Sequence, residues 1–320
     1  MDFKTVIVIC GPTASGKSST AISLARLMNN RSDDVQIDTQ GAEIVSADSM
    51  QIYKELNIGT AKISQTEQKE IRHHLINICH PEEYYSAAQF KNDATEAIKD
   101  IQSRGKTAIV CGGTGQYLSA LIEGIEYVDT PVDIDLRDSL NRRADIEGLS
   151  KMFEELKDID PAAAAKLSLS DRKRIIRAHE IIRSTGKTPT EINLLSRQKG
   201  PDFQFLTFCL SPDRNLLYER INKRTVMMLE EGWIEETSKL IEAGISEQAT
   251  SMQAIGYKQI KHYLHGNIDY DHLVNDIQQA TRRYAKRQLT WFRKMKDVYW
   301  LNNDDNNHNL QEIINIISAY

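Results

Sequence analysis

The sequence has few cysteines and none of them paired in a motif: Cys10, Cys79, Cys111 and Cys209 lie far apart, with no C-x-x-C among them. That spacing rules out an obvious zinc finger and offers no disulfide framework. Cys10, Cys111 and Cys209 sit inside apolar runs, where a reduced thiol behaves as a small hydrophobe. No run approaches 18 apolar residues, so no membrane-spanning helix is expected. No secretory leader precedes the first motif at residue 11, and the expected setting is the cytoplasm. Positive charge is in deficit: 40 Lys and Arg against 45 Asp and Glu leave a net charge of −5. A uniformly basic nucleic-acid binder is thereby excluded, though a local basic face is not. There is no internal repeat. After residue 60 no apolar strand ends in Asp, which counts against a motor ATPase and favours a small transferase or kinase. At 320 residues, 40% hydrophobic and 27% charged, the chain can bury a sizeable core. It can form one large domain with an insertion, or two domains.

Against these absences stands one dense motif, Gly11-Pro12-Thr13-Ala14-Ser15-Gly16-Lys17-Ser18, which fills every fixed position of the phosphate-loop pattern G-x-x-x-x-G-K-[S/T]. Val6 to Cys10 before it reads as a buried parallel strand, and Ser19 to Met28 after it as a helix. Successive backbone N–H groups of such a loop form an anion nest, to which the following helix adds its positive end. Gly16 permits close approach of backbone to phosphate, Lys17 adds a point charge, and the Ser18 hydroxyl can hold Mg²⁺. The motif leaves open which diphosphate or triphosphate is held.

The first 120 residues alternate strand and helix. Glu43 to Ser46 and Thr107 to Cys111 are strand candidates, and Glu67 to Ile71 and Ala87 to Ser103 have helical spacing. The pattern predicts a P-loop NTPase-like α/β fold, with a parallel sheet flanked by helices. The loop at 11–18, Asp48 and Thr114 then share the carboxyl edge of the sheet. From about 133 to 198 no strand run is visible. Charged helices are expected over Asp133–Leu156 and Asp171–Ser184, punctuated by Pro161, Gly186 and Pro189. Phe203 to Leu210 returns as a strand. A discontinuous core over 1–119 and 203–320, with an all-helical insertion over 120–202, is the simplest account. A long helix is expected over Leu273–Lys296, and an Asn- and Asp-rich loop over 302–309 before the last helix.

Further residues suit chemistry at that edge, each with a plainer alternative. Asp48 could serve as general base, as an outer ligand of magnesium, or simply as a helix cap beside Ser49. Gly112-Gly113-Thr114-Gly115 could meet an anion or only pack a tight turn. Arg220 and Arg224 share one helix face and could neutralise a leaving group, or lie idle on a surface. The tract Arg172-Lys173-Arg174-Ile175-Ile176-Arg177 is dense in positive charge. So is a second one holding Arg282, Arg283, Lys286, Arg287, Arg293, Lys294 and Lys296 among Tyr284, Trp291 and Phe292. Together they suggest a polyanion groove, or else two solvated faces. His73, His74 and His80 lack a matching further ligand, so capping or core packing is expected over metal binding.

Taken together, the motifs resemble the tRNA dimethylallyltransferases. The phosphate loop is followed by Ser46-Ala47-Asp48-Ser49-Met50-Gln51-Ile52-Tyr53, Ile58-Gly59-Thr60-Ala61-Lys62 and Arg72-His73-His74-Leu75. Then come Val110-Cys111-Gly112-Gly113-Thr114-Gly115-Gln116-Tyr117, Ala254-Ile255-Gly256-Tyr257-Lys258-Gln259 and Ala285-Lys286-Arg287-Gln288-Leu289-Thr290-Trp291. The resemblance runs from about residue 6 to 301. It implies Mg²⁺-dependent transfer of a dimethylallyl group from dimethylallyl diphosphate to N6 of the adenosine beside the anticodon. By the resemblance, Asp48 handles the N6 proton, while the loop, Lys17, Ser18-bound Mg²⁺ and Arg224 receive the leaving diphosphate. It also places Thr114, Asp48, Ser49, Met50, Gln51, Arg137, Arg174 and Arg177 against RNA. With the basic tracts, Lys173, Arg282, Arg283, Lys286 and Arg287 complete the expected tRNA surface. The insertion would grip the anticodon arm, with the target base flipped into the core. A monomer with no membrane attachment is expected.

Two departures accompany the resemblance. Family members often carry acidic residues where Asn77-Ile78-Cys79-His80-Pro81 stands here, so that stretch is given no role. The Cys/His zinc motif of eukaryotic relatives is missing, which points to the bacterial type. The rival readings are a small-molecule P-loop kinase and a prenyltransferase acting on free adenine nucleotides. The second should lack much of the helical insertion and the long basic helix. A third, an RNA-binding module with a vestigial loop, is opposed by the intact Lys17-Ser18 pair.

Overall fold

The computed structural model describes residues 2, 4–30, 39–127, 133–302 and 305–320, and these form two compact units. The first unit comprises Met1–Ile122 and Asp202–Tyr320, the second Glu123–Pro201. In chain order the first unit runs β1 (Val6–Cys10), α1 (Lys17–Asn29), β2 (Ala42–Ser46), α2 (Gln65–Glu70), β3 (His73–His74), α3 (Ala87–Ser103), β4 (Thr107–Gly112) and α4 (Gly115–Ile122). The second unit holds α5 (Ile134–Glu147), α6 (Leu149–Ile159), α7 (Pro161–Ala164), α8 (Arg172–Thr185) and α9 (Pro189–Leu195). The first then resumes with β5 (Phe205–Leu210), α10 (Arg214–Glu230), α11 (Trp233–Glu242), α12 (Tyr257–Leu264), α13 (Tyr270–Phe292), β6 (Val298–Leu301) and α14 (Asn306–Ala319).

All six strands pair in parallel, in the order β3-β2-β4-β1-β5-β6. β1, β2 and β4 are buried along their whole length, which is why β1 and most of β4 read as continuous apolar runs rather than alternating ones; β2 carries a buried Glu43. Ile7, Ile9, Ile44, Ile109 and Phe208 send their side chains into one cluster with Leu24 of α1 and Ile313 and Ile317 of α14. On α3 and α4, Phe90 stacks on Tyr117 with centroids 4.3 Å apart. The chain order across the sheet leaves the turns after β1, β2 and β4 side by side at the carboxyl edge, where open α/β sheets bind ligands.

Several expected boundaries need correcting. β3 and β6 were not foreseen. β3 is a two-residue edge strand of histidines, and β6 has four residues of which only Leu301 is buried, so neither carries a usable period. The helix expected over Asp133–Leu156 is two helices: Gly148, with φ of 88°, ends α5 and opens α6. The long helix expected over Leu273–Lys296 spans Tyr270–Phe292. The last helix begins at Asn306, inside the loop expected over 302–309; residues 303–304 of that loop lie outside the described ones.

In the second unit, Leu140, Met152, Ile175 and Ile176 form a small core. Buried Asp160 accepts from Ala163 N–H at 2.9 Å, Thr190 N–H at 2.8 Å and Thr190 Oγ1 at 2.7 Å, tying α7 to α9. Burial alone would raise the Asp160 pKa, but the Thr190 hydroxyl and N–H and the Ala163 N–H more than offset it.

Candidate active site

The phosphate loop follows β1 directly. Gly16 caps α1 with φ of 91°, the conformation that demands glycine, and the Asn306 side chain packs close over it. Ala14 is also held at positive φ, 62°, a strained state for a side-chain-bearing residue of the kind found where ligands are clamped. Lys17 Nζ donates to Pro12 O at 3.3 Å. Desolvation pulls the Lys17 pKa below the ordinary lysine value; Cys111 and Asp48 oppose that pull and Arg224 adds to it. The Ser15 hydroxyl is buried without a hydrogen-bond partner among the described residues.

Asp48 follows β2 across the edge. Its Oδ1 accepts from the N–H groups of Met50 at 2.9 Å and Gln51 at 3.3 Å, so the capping turn and the cleft position occur together. Asp48 acts electrostatically on Lys17, Lys62 and Arg224. Arg224 reaches this field from α10; burial lowers its pKa while Asp48 and Glu231 resist. Thr114 closes the group: its Oγ1 accepts the Ser49 N–H at 3.0 Å and donates to Ser49 Oγ at 3.2 Å. The structure thus brings together Lys17, Asp48, Thr114 and Arg224, which the sequence scatters over more than 200 positions.

The expected RNA residues fall into two groups, one in each unit. On α13, Arg283, Lys286 and Arg287 are exposed, while Arg282 donates to Asn222 Oδ1 at 2.5 Å. In the second unit Lys173 and Arg174 are exposed. Arg137 and Arg177 are instead engaged by the buried carboxylate of Glu180, at 2.6 and 2.8 Å. The histidines hold no metal cluster among the described residues. His74 Nε2 lies 2.8 Å from Glu43 Oε2, His73 Nδ1 lies 2.7 Å from Ile71 O, and His80 Nε2 lies 3.3 Å from Lys54 Nζ.

Three residues that support the site were missed from sequence. Gln288 of α13 accepts the Thr13 N–H at 2.9 Å and donates to Gly113 O at 2.8 Å, stapling the phosphate loop to the Thr114 turn. The available signal was a polar residue inside the apolar stripe Leu273, Ile277, Ala285, Phe292. Glu236 of α11 accepts the N–H groups of Asn57, Ile58 and Gly59 at 2.8, 2.8 and 3.1 Å, and Tyr257 OH donates to it at 2.6 Å. The loop it holds offers the Thr60 and Ala61 carbonyls to Gln51 Nε2 at 3.2 and 3.3 Å. Lys62 Nζ donates to Tyr53 O and to Asn77 Oδ1, both at 2.6 Å, and burial pulls its pKa to about 8. Nothing local in the sequence announces Glu236, and the 58–62 motif that contains Lys62 does not tell its partners, because these are brought near by folding.

A parallel sheet with a phosphate loop, a facing carboxylate and converging cations at its carboxyl edge defines a P-loop enzyme of the transferase or kinase kind. The sequence model of the IPP transferase family matches residues 51–295. A tRNA dimethylallyltransferase of Acetivibrio thermocellus is 44% identical over 300 residues, 94% of this chain and 92% of its own. That of Carboxydothermus hydrogenoformans is 41% identical over 308 residues, 96% and 94% of the two chains. Among solved structures, the full-length tRNA isopentenylpyrophosphate transferase of Bacillus halodurans matches with a TM-score of 0.70 and 38% identity, covering 99% of this chain and 96% of its own. A eukaryotic dimethylallyltransferase acting on tRNA matches with a TM-score of 0.79 and 29% identity, over 99% and 80% of the two chains. The chain belongs to the IPP transferase family.

Proposed function

We propose that this protein is a tRNA dimethylallyltransferase, which moves the dimethylallyl group of dimethylallyl diphosphate to N6 of the adenosine adjacent to the anticodon, position 37, and releases pyrophosphate. The relatives named for that activity support the reading. The observation that carries it is Asp48, placed in one electrostatic field with phosphate-loop Lys17 and with Arg224.

The residues suit alkyl transfer. The N6 lone pair attacks the first allyl carbon, the carbon–oxygen bond breaks, and its electron pair departs with the diphosphate. Asp48 hydrogen-bonds N6–H, orients the amine and accepts the proton as the C–N bond forms. Backbone N–H groups of 11–18, Lys17 and Arg224 receive the growing negative charge. Thr114 and the 48–51 turn hold the acceptor nucleotide. Ser18 and the unpartnered Ser15 hydroxyl provide oxygen donors beside a diphosphate, a set that fits Mg²⁺ bound mostly through substrate oxygens. Ser18 would hold the ion, which would supply charge neutralisation for the leaving group. Arg282, Arg283, Lys286 and Arg287 of α13 serve the RNA backbone, and so do Lys173, Arg174, Arg137 and Arg177 of the second unit. Among the described residues no helix is long and apolar enough to cross a membrane. We place the enzyme in the cytoplasm, where its tRNA is, acting as a monomer.

Labelled dimethylallyl diphosphate, Mg²⁺ and unmodified tRNA should yield label on the adenosine after the anticodon. Label on free adenine nucleotide in place of tRNA, or ATP consumption with a small alcohol and no prenyl transfer, would overturn the reading in favour of the two rivals.

A further inference from the structure

Trp291 is 42% exposed at the end of α13, although a tryptophan of this size normally packs inward. Its ring packs against Gly115, whose Cβ, if present, would fall 2.5 Å from the ring carbons Cγ and Cδ1. Its Nε1 donates to Ser119 Oγ at 2.9 Å. The indole is therefore held against Gly115, one residue beyond Thr114, and at its polar atom, while 42% of the residue stays exposed. Arg287 and Arg283 are exposed one and two turns before it on α13, and Lys294 is exposed just past the helix end. A rigid aromatic surface flanked by cations matches a phosphate backbone whose bases are unpaired, because every base has a stackable face. Packing alone would explain the Gly115 contact. It would not explain an open indole surface with exposed cations before it on the helix and just after its end.

We infer that Trp291 is a stacking platform for an unpaired base of the RNA substrate, beside the adenosine held at the Thr114 turn. This rests on the tRNA reading above. The open surface of the indole stacks on the base while Arg287 and Lys294 meet the neighbouring phosphates. Removing the ring then costs affinity without removing any charge.

The test uses the full chain and an unmodified anticodon stem-loop RNA. Of the three tryptophans Trp233 is 3% exposed and Trp300 of β6 is partly buried, so the part of the RNA-induced quench that Trp291 supplies is the part lost in Trp291→Phe, and the quench should drop sharply in that variant. Trp291→Ala should weaken RNA binding by about tenfold or more, with the salt dependence of binding and the KM for dimethylallyl diphosphate unchanged. Trp291→Phe keeps an aromatic face and should retain most of the affinity, which separates stacking from a folding defect. Wild-type RNA affinity in Trp291→Ala, or a quench undiminished in Trp291→Phe, overturns the inference. If the wild type still prenylates tRNA in that case, the activity stands and only the platform falls. A wild type that neither binds nor prenylates tRNA sinks both.

Discussion

The Oδ1 atom of Asp48 closes its own turn through Met50 and Gln51, so the residue is held in place by the backbone it must serve. This makes a clean substitution possible: Asp48→Asn keeps an acceptor for the turn but cannot take up a proton. It should lower turnover by roughly 10²–10⁴-fold while tRNA affinity stays near wild type, as single-turnover rates and filter binding would register. A rate near normal removes Asp48 as base. Lys62 gives a prediction in pH. Burial lowers its pKa to about 8 from the ordinary 10.5 against the pull of Glu236 and Asp48, and its hydrogen bonds go to the neutral Asn77 and Tyr53 carbonyls. Between those values the folded chain has released a proton that the unfolded chain still holds, so this lysine makes stability rise with pH across that window. Asn77→Asp restores a carboxylate beside the ammonium, raises its pKa and shrinks the rise. Urea midpoints of the two proteins from pH 7 to 10.5 should diverge accordingly; parallel curves would mean that Lys62 is not buried as described.

Elements matter here chiefly through what they deliver to the sheet edge. α13 is an amphipathic helix whose buried stripe carries Gln288 among apolar residues, and that one amide joins the loop for the diphosphate to the turn for the acceptor. Gln288→Ala leaves the Thr13 N–H and the Gly113 carbonyl without this partner. The expected cost is about 1–3 kcal/mol of stability, with turnover falling more than either KM rises, since the groups remain but their spacing loosens. Denaturation and steady-state kinetics on the same preparation would decide it, and an unaltered turnover would reduce Gln288 to packing. α11 works similarly through Glu236, whose carboxylate gathers three consecutive N–H groups and thereby presents two carbonyls to Gln51.

At the scale of the molecule, a net charge of −5 coexists with exposed cations on α13 and on α8. Affinity for tRNA should therefore fall steeply with salt: neutralising about 6 phosphates costs on the order of 10³ in affinity between 50 and 200 mM. Removing two charges as Arg283→Ala and Arg287→Ala should flatten the slope of log affinity against log salt by about 2. A flat profile in the unaltered protein would mean that these cations only solvate the surface.

How much of this could be read in advance follows from the range of each interaction. The phosphate loop, the buried strands at Val6–Cys10 and Thr107–Gly112 and the helical character of 133–198 depend on neighbours in sequence, so the sequence alone determined them. Asp48 and Thr114 could be placed at the edge because strand ends in a parallel sheet share it. The edge strands β3 and β6 escaped, being too short to have a period and existing only because β2 and β5 offer them hydrogen bonds. Gln288 and Glu236 also depended on tertiary structure: each acts on backbone groups far along the chain, and backbone groups look alike in every sequence. The cysteines whose scatter said so little turn out to be free and buried, with Cys111 beneath the phosphate loop, its Sγ 3.6 Å from Lys17 O. The sequence by itself determined the kind of chemistry, because a phosphate loop is local; only the fold decided which side chains hold it in register, because that takes contacts no segment makes alone.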